Sequence, residues 1–227
     1  MAIAFDASSN GSWVPSPGTQ ISWNHTVGSG ADRVLLVAVH LRGAQTVTGI
    51  TYNSDAMTHV ATAIQSAGVL RTEIWRLVNP DSGANSVLVT LSAAIDSSLG
   101  GSAMSFTGVD QTTPIGATAT AGPDTGTSVS TNLTTAQNNS WVVDAVTHRN
   151  DIDITAGGSQ SNVLEHNNGT STIGGMSTRL APTAGSYAMS WADGADHQWR
   201  HVLLELRDAA GAPPVVNMRR GGMFFGS

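Results

Sequence analysis

The chain has 227 residues, sixteen carboxylates against ten cations, a net charge of −6 and no cysteine. That excludes a disulfide framework, a thiolate zinc site and thiol catalysis. It also argues against a general binder of nucleic acid or anionic membrane. Every cation is an arginine, and Gly, Ser, Thr, Ala and Val crowd the sequence while Glu is scarce. This is strand-and-turn composition rather than helix composition.

Ile3 and Phe5 alternate with small residues as a short first strand. Asn10-Gly11-Ser12 and Pro15-Ser16-Pro17-Gly18 read as turns, and residues 19–27 as a strand. Residues 33–42 (RVLLVAVHLR) are apolar on both faces, the mark of a central strand. Residues 47–52 and 57–60 flank Asn53-Ser54, a tight hairpin turn. Strands follow at 69–78, 86–91 and 101–107. The opening residues carry no basic n-region and no long apolar stretch, so export by an ordinary signal peptide is not expected. No apolar run approaches the ~20 residues of a membrane span.

The midpoint is punctuated by Gly108 and by the turn-forming run from Asp110 to Pro114, where a proline without an N–H ends strand pairing. After it the order repeats. Ala38-Val39-His40-Leu41-Arg42 is echoed by Ala145-Val146-Thr147-His148-Arg149, and Ile74-Trp75-Arg76-Leu77 by the run from Met176 to Leu180. Residues 86–91 are echoed by 186–191, and 99–107 by 199–207. Two readings stand: a pseudo-duplication in which equivalent strands from each half share one sandwich, or the ordinary likeness of β-strands. About a dozen strands separated by turn signals predict an all-β fold. Its expected form is a two-layer antiparallel β-sandwich of jelly-roll or lectin-like type over residues 1–208. Its core is expected at Leu35, Val37, Val39, Ile74, Val87, Val89, Met104, Phe106, Val143, Met189, Val202, Leu204 and Leu206. Residues 209–227 read as a linker and a C-terminal anchoring tail too short to fold alone.

Three stretches in this order carry a resemblance: Ile50-Thr51-Tyr52-Asn53-Ser54-Asp55-Ala56-Met57-Thr58, Glu73-Ile74-Trp75-Arg76-Leu77-Val78-Asn79-Pro80, and Ser105-Phe106-Thr107-Gly108-Val109-Asp110-Gln111-Thr112-Thr113-Pro114. Over roughly residues 30–208 the chain resembles a β-sandwich module of phage virion proteins and bacterial surface or secreted proteins. The S-F-x-G-V-D-Q-x-x-P piece is its most specific part. The resemblance implies a structural or adhesive role and no catalytic residues. Ser54 departs from the pattern, since Gly commonly follows the Asn; only the turn type is affected.

Local chemistry is sparse. The three glutamates, Glu73, Glu165 and Glu205, have no second carboxylate on the same strand face, so no glycosidase pair is presented. There is no G-x-S-x-G elbow, no phosphate loop and no HExxH. Were His197 and His201 on one strand, they would stand about 13 Å apart, too far to share an ion. His40 and His148 read as strand residues bonded to neighbours. Asp193 and Asp196, in an Asp-Gly loop, and Asp151 and Asp153 are calcium candidates, with an ordinary turn as the alternative. No other metal or cofactor is expected. Among six indoles, Trp199 shares a face with His201 and Glu205 opposite Val202, Leu204 and Leu206, and two readings stand: an outward-facing sugar platform at Trp199 and His201, or core or inter-subunit packing, the commoner fate of an indole.

The leading expectation is therefore a non-enzymatic virion component of a bacteriophage, assembled in the host cytoplasm. A capsid decoration (cement) protein is the first assignment and a head fibre or tail protein the next. Its partner would be the major capsid protein or another virion protein, docked through Arg219, Arg220, Met223, Phe224 and Phe225. A homo-oligomer, with a trimer as the expected symmetry, would cover sheet edges. The alternative is a carbohydrate-binding module that attaches to a host glycan.

Overall fold

The structure, a computed structural model, describes residues 2–15, 17–65, 69–95 and 97–209. Ten strands make the first half: β1 (Ala4–Asn10), β2 (Val14–Pro15), β3 (Gln20–Val27), β4 (Val34–Arg42), β5 (Val47–Tyr52), β6 (Asp55–Ala56), β7 (Thr58–Ile64), β8 (Leu70–Val78), β9 (Gly83–Leu91) and β10 (Ser98–Thr107). Eight make the second: β11 (Ile115–Ala121), β12 (Ser128–Thr135), β13 (Ser140–His148), β14 (Thr155–Ala156), β15 (Ser161–Asn167), β16 (Ile173–Ala181), β17 (Gly185–Ala192) and β18 (Trp199–Leu206). All pairing is antiparallel, and no α-helix occurs among the described residues.

The first half forms two sheets, β1-β10-β4-β8-β7 and β3-β9-β5-β6. The second half forms β11-β18-β13-β16-β15 and β12-β17-β14. Matching β1, β3, β4, β5, β7, β8, β9 and β10 in turn with β11 to β18 makes the two sets of neighbours coincide. The order is that of a jelly roll, in which the chain crosses repeatedly between two facing sheets. In the first half the fifth strand is shared: β6 pairs with β5 in the small sheet, and after Met57 the chain continues as β7 in the large one.

The halves do not pool their strands into one sandwich, as one reading of the repeat had it. Each builds its own, and the two large sheets then stack face to face, giving four layers. One face of β4 (Leu35, Val37, Val39, Leu41) packs with Val87 and Val89 beneath the first small sheet. The other face (Val34, Leu36, Ala38) joins Ile74, Met104 and Phe106 against Val143, Ala145, Met176, Val202, Leu204 and Leu206 of the second half. This is why β4, β10, β13 and β18 are buried on both faces: each lies in an inner layer. All the expected core residues are buried.

The seam between the halves is apolar at one end and polar at the other. His40 Nδ1 lies 3.2 Å from Thr147 Oγ1, its counterpart in the repeat, and His40 Nε2 lies 3.1 Å from Ser102 Oγ. Thr72 Oγ1 is 2.7 Å from Thr147 Oγ1, and Ser98 Oγ is 3.0 Å from Thr172 Oγ1. His40 and Thr147, related by the duplication, thus meet across the stack.

The S-F-x-G-V-D-Q-x-x-P segment is the joint. Gly108 has a φ of 69°, and its N–H donates to the Ala31 carbonyl. The Val109 N–H donates to the Asp32 carbonyl, and the Asp110 N–H to that of Arg207. The Asp110 carboxylate accepts from the N–H groups of Thr112 and Thr113, which hold its pKa below the usual range. One turn is thereby tied to the first half and to the last strand of the second.

At the β5–β6 hairpin, Asn53 and Ser54 have φ of 50° and 73°, so both central residues are left-handed, as a type I′ turn requires. Serine lacks the freedom of glycine there. Ser54→Gly is expected to raise stability by about 0.5–1 kcal/mol; an unchanged or lower urea midpoint would contradict this.

Candidate metal centre

β13 ends at His148, whose partner in register is Trp199, the first residue of β18. The loop from Asp193 to Gln198 therefore runs past His148. It is held by bonds from the Asp193 N–H to the Thr127 carbonyl (3.2 Å) and from the His197 N–H to that of Gly126 (3.0 Å). Gly194 turns it with a φ of 80°. Asp193 Oδ1 accepts from the Ala195 N–H at 3.0 Å, an Asx turn that leaves Oδ2 facing inward.

Asp193 Oδ2 stands 2.6 Å from His197 Nδ1 and 3.0 Å from His148 Nε2. One donor atom from each residue lies within 4.8 Å of the others. The side chains of His148 and Asp193 are fully buried, while that of His197 is 23 % exposed. His197 Nε2 is 2.5 Å from Asn150 Nδ2, so both nitrogens of that ring are occupied. His148 is different: Nδ1 has no hydrogen-bond partner, and Nε2 meets only Asp193 Oδ2 at 3.0 Å. Its ring packs on Trp199 at 4.1 Å between centroids. Burial pushes the His148 pKa down to about 4, against the pull of Asp193 and with help from His197. His197 also lines a surface depression with Asp124, Arg149 and Asp196, so the cluster opens to solvent on that side.

Several sequence expectations are corrected. Trp199 and His201 do not face outward; both are fully buried, because the β12-β17-β14 sheet covers that face of β18. Trp199 Nε1 donates to the Gly126 carbonyl at 2.8 Å. His201 bridges Thr131 Oγ1 and Asp144 Oδ2, 2.8 Å to each, and Asp144 also accepts from Trp191 Nε1 and Ser177 Oγ. This hydroxyl–imidazole–carboxylate chain has the order of a nucleophile relay, yet it is sealed in the second jelly roll and works as a satisfied polar core. His197 is not on the strand of His201 but in the loop before it. Asp193 does not form an oxygen cage with Asp196: its inward oxygen meets two imidazoles, and Asp196 is exposed on the rim.

Glu205 is spent on structure, accepting from the N–H groups of Ala117, Ala136 and Gln137 and from Ser140 Oγ. Arg219, Arg220, Met223, Phe224 and Phe225 lie outside the described residues. Reading the sequence alone missed the pairing of His148 with His197. The available signal was the repeat, which sets 140–149 and 199–207 as neighbouring central strands and brings the end of one beside the start of the other.

The fold defines the chain as an antiparallel β-protein of two stacked jelly rolls. No protein-family model matches it, and no curated protein matches it.

Proposed function

We propose that the chain is a non-enzymatic structural component of a bacteriophage virion, with capsid decoration as the first assignment and a head fibre or tail position as the next. The observation that carries this reading is the joint from Ser105 to Pro114. The most specific of the three stretches that resemble the virion module is the one whose backbone hydrogen bonds tie one jelly roll to the other. Their role is to build a rigid block. The interior contacts of Asp144 with His201 and of Glu205 with backbone N–H groups and Ser140 serve the same end, sealed inside the second jelly roll. Docking to the particle falls to the tail beyond Asp208, whose arginine and phenylalanine pairs suit a protein partner.

The experiment is co-sedimentation with particles from the source host. The full chain is expected to travel with the particles. A chain ending at Asp208 is expected to fold, judged by circular dichroism, and to stay in the soluble fraction. A full chain that never associates with particles overturns the reading.

The alternative, carbohydrate attachment, moves from Trp199 to another indole. A depression at the seam is lined by Trp13 with Ser97, Ser98, Asn168 and Thr170, an aromatic beside hydroxyls and an amide. Glycan-array binding abolished by Trp13→Ala would favour it.

A further inference from the structure

We propose that His148, Asp193 and His197 bind a divalent first-row transition-metal ion, with zinc as the reference case. The inference is independent of the virion reading.

Two imidazoles and one carboxylate are the donor set of a borderline ion, not of calcium, which takes six or more oxygens. The geometry is close to what such an ion needs. With metal–ligand bonds near 2.1 Å, tetrahedral donor atoms stand about 3.4 Å apart. The Asp193 Oδ2 separations of 3.0 Å to His148 and 2.6 Å to His197 need to open by about 0.4 Å and about 0.8 Å, the second by a shift of the partly exposed His197 ring. The strongest pointer is His148. A fully buried imidazole whose Nδ1 has no partner and whose Nε2 meets only the Asp193 carboxylate is poorly satisfied, and its donor atom lies within 4.8 Å of those of Asp193 and His197. An ion there would satisfy that nitrogen directly.

The surroundings are those of a supported site. The Ala195 N–H engages the far oxygen of Asp193 and so orients that donor. Asn150 lies beside the far nitrogen of His197, which carries the proton when Nδ1 holds an ion, so the Asn150 amide has to turn its oxygen to that N–H on binding. The indole of Trp199 backs His148 and closes the inner side. On the outer side, the depression beside His197 leaves room for water or an added ligand in the remaining positions. The three residues come from the end of β13 and from the loop joining β17 to β18. An ion would therefore pin the large sheet of the second jelly roll to its small sheet.

The test uses the untagged full chain, stripped with EDTA and exchanged into chelator-free buffer at neutral pH. Zinc chloride is titrated by calorimetry, and cobalt(II) chloride by visible absorption. One zinc per chain with micromolar or tighter affinity is expected, with a rise in melting temperature and a cobalt spectrum of low coordination number. His197→Gln, on a partly exposed loop, is expected to keep the fold and weaken binding by about tenfold or more. His148→Gln is expected to do the same where it folds, and Asn150→Ala to weaken binding less. His59→Gln, at an exposed histidine outside the cluster, is expected to leave binding unchanged. No saturable zinc uptake by the parent chain overturns the proposal. So does equal affinity in His197→Gln, or loss of binding in His59→Gln.

Discussion

Acidification from pH 7 to pH 4 is expected to remove on the order of 5 kcal/mol from the unfolding free energy, chiefly through His25 and His40. Both imidazoles are interior. His25 lies between Ser9 Oγ at 2.8 Å and Ser105 Oγ at 3.1 Å, and burial lowers its pKa to about 4 despite the nearby Asp6 carboxylate. His40 sits in the seam between the jelly rolls. Burial, with His166 acting in the same direction, lowers its pKa to about 3, against a bond to the Val146 backbone. The unfolded chain takes up these protons below a pH of about 6.5, whereas the folded chain refuses them until about pH 4 at His25 and about pH 3 at His40. Across that window the unfolded state binds more protons. Stability is complete above the unfolded pKa and falls by about 1.4 kcal/mol per pH unit per histidine as the pH drops. His166, also lowered to about 4 by burial, adds in the same sense. Guanidinium unfolding at several pH values reads the slope directly. A midpoint that stays constant from pH 7 to pH 4 would show that these rings are not held neutral. Replacing His25 and His40 by Gln in one variant is expected to flatten the slope whatever it does to stability at pH 7.

Phe106→Ala is expected to cost about 3–5 kcal/mol, the range for an aromatic ring lost from a well-packed interior. Phe106 meets Phe5 of its own half edge-on at 5.9 Å between centroids, and Trp141 of the other half at 6.1 Å and 74°. It is fully buried within the core that joins the two large sheets. Removing it opens a cavity between the jelly rolls and leaves Trp141 without its partner. Because that core belongs to both halves, the parent chain is expected to unfold in one cooperative transition. Phe106→Ala is expected to lower the midpoint and to begin separating the two halves. Phe106→Leu, which keeps most of the volume, is expected to cost much less. A Phe106→Ala chain as stable as the parent would mean that the halves stand independently and the stack contributes little.

The pattern of apolar residues along the chain determined the strands that mattered. RVLLVAVHLR could only be a strand buried on both faces, and the core residues from Leu35 to Leu206 are inside. It carried the signal of the repeat as well, which the structure decides in favour of duplication: Ala38 and Ala145 occupy equivalent places in the core between the two large sheets. Of the strands it passed over, β11 and β15 pack only partly, so alternation is faint there, while β12 alternates strictly in burial but fills its inward face with Val129, Thr131, Leu133 and Thr135, where two threonines blur the apolar signal.

Tertiary structure alone decided what each buried face meets. A strand apolar on both sides states that it is covered, not by which sheet, so one sandwich and two stacked sandwiches read alike. The same gap hid the fate of Trp199 and His201, whose polar neighbours mimic a solvent face although a small sheet lies over them. It hid the cluster of His148, Asp193 and His197 too. Those residues are distant along the chain, and only the pairing of β13 with β18 and the return of the loop after β17 bring their donor atoms to one point. Periodicity is a property of neighbours in sequence, whereas a site is made by neighbours in space.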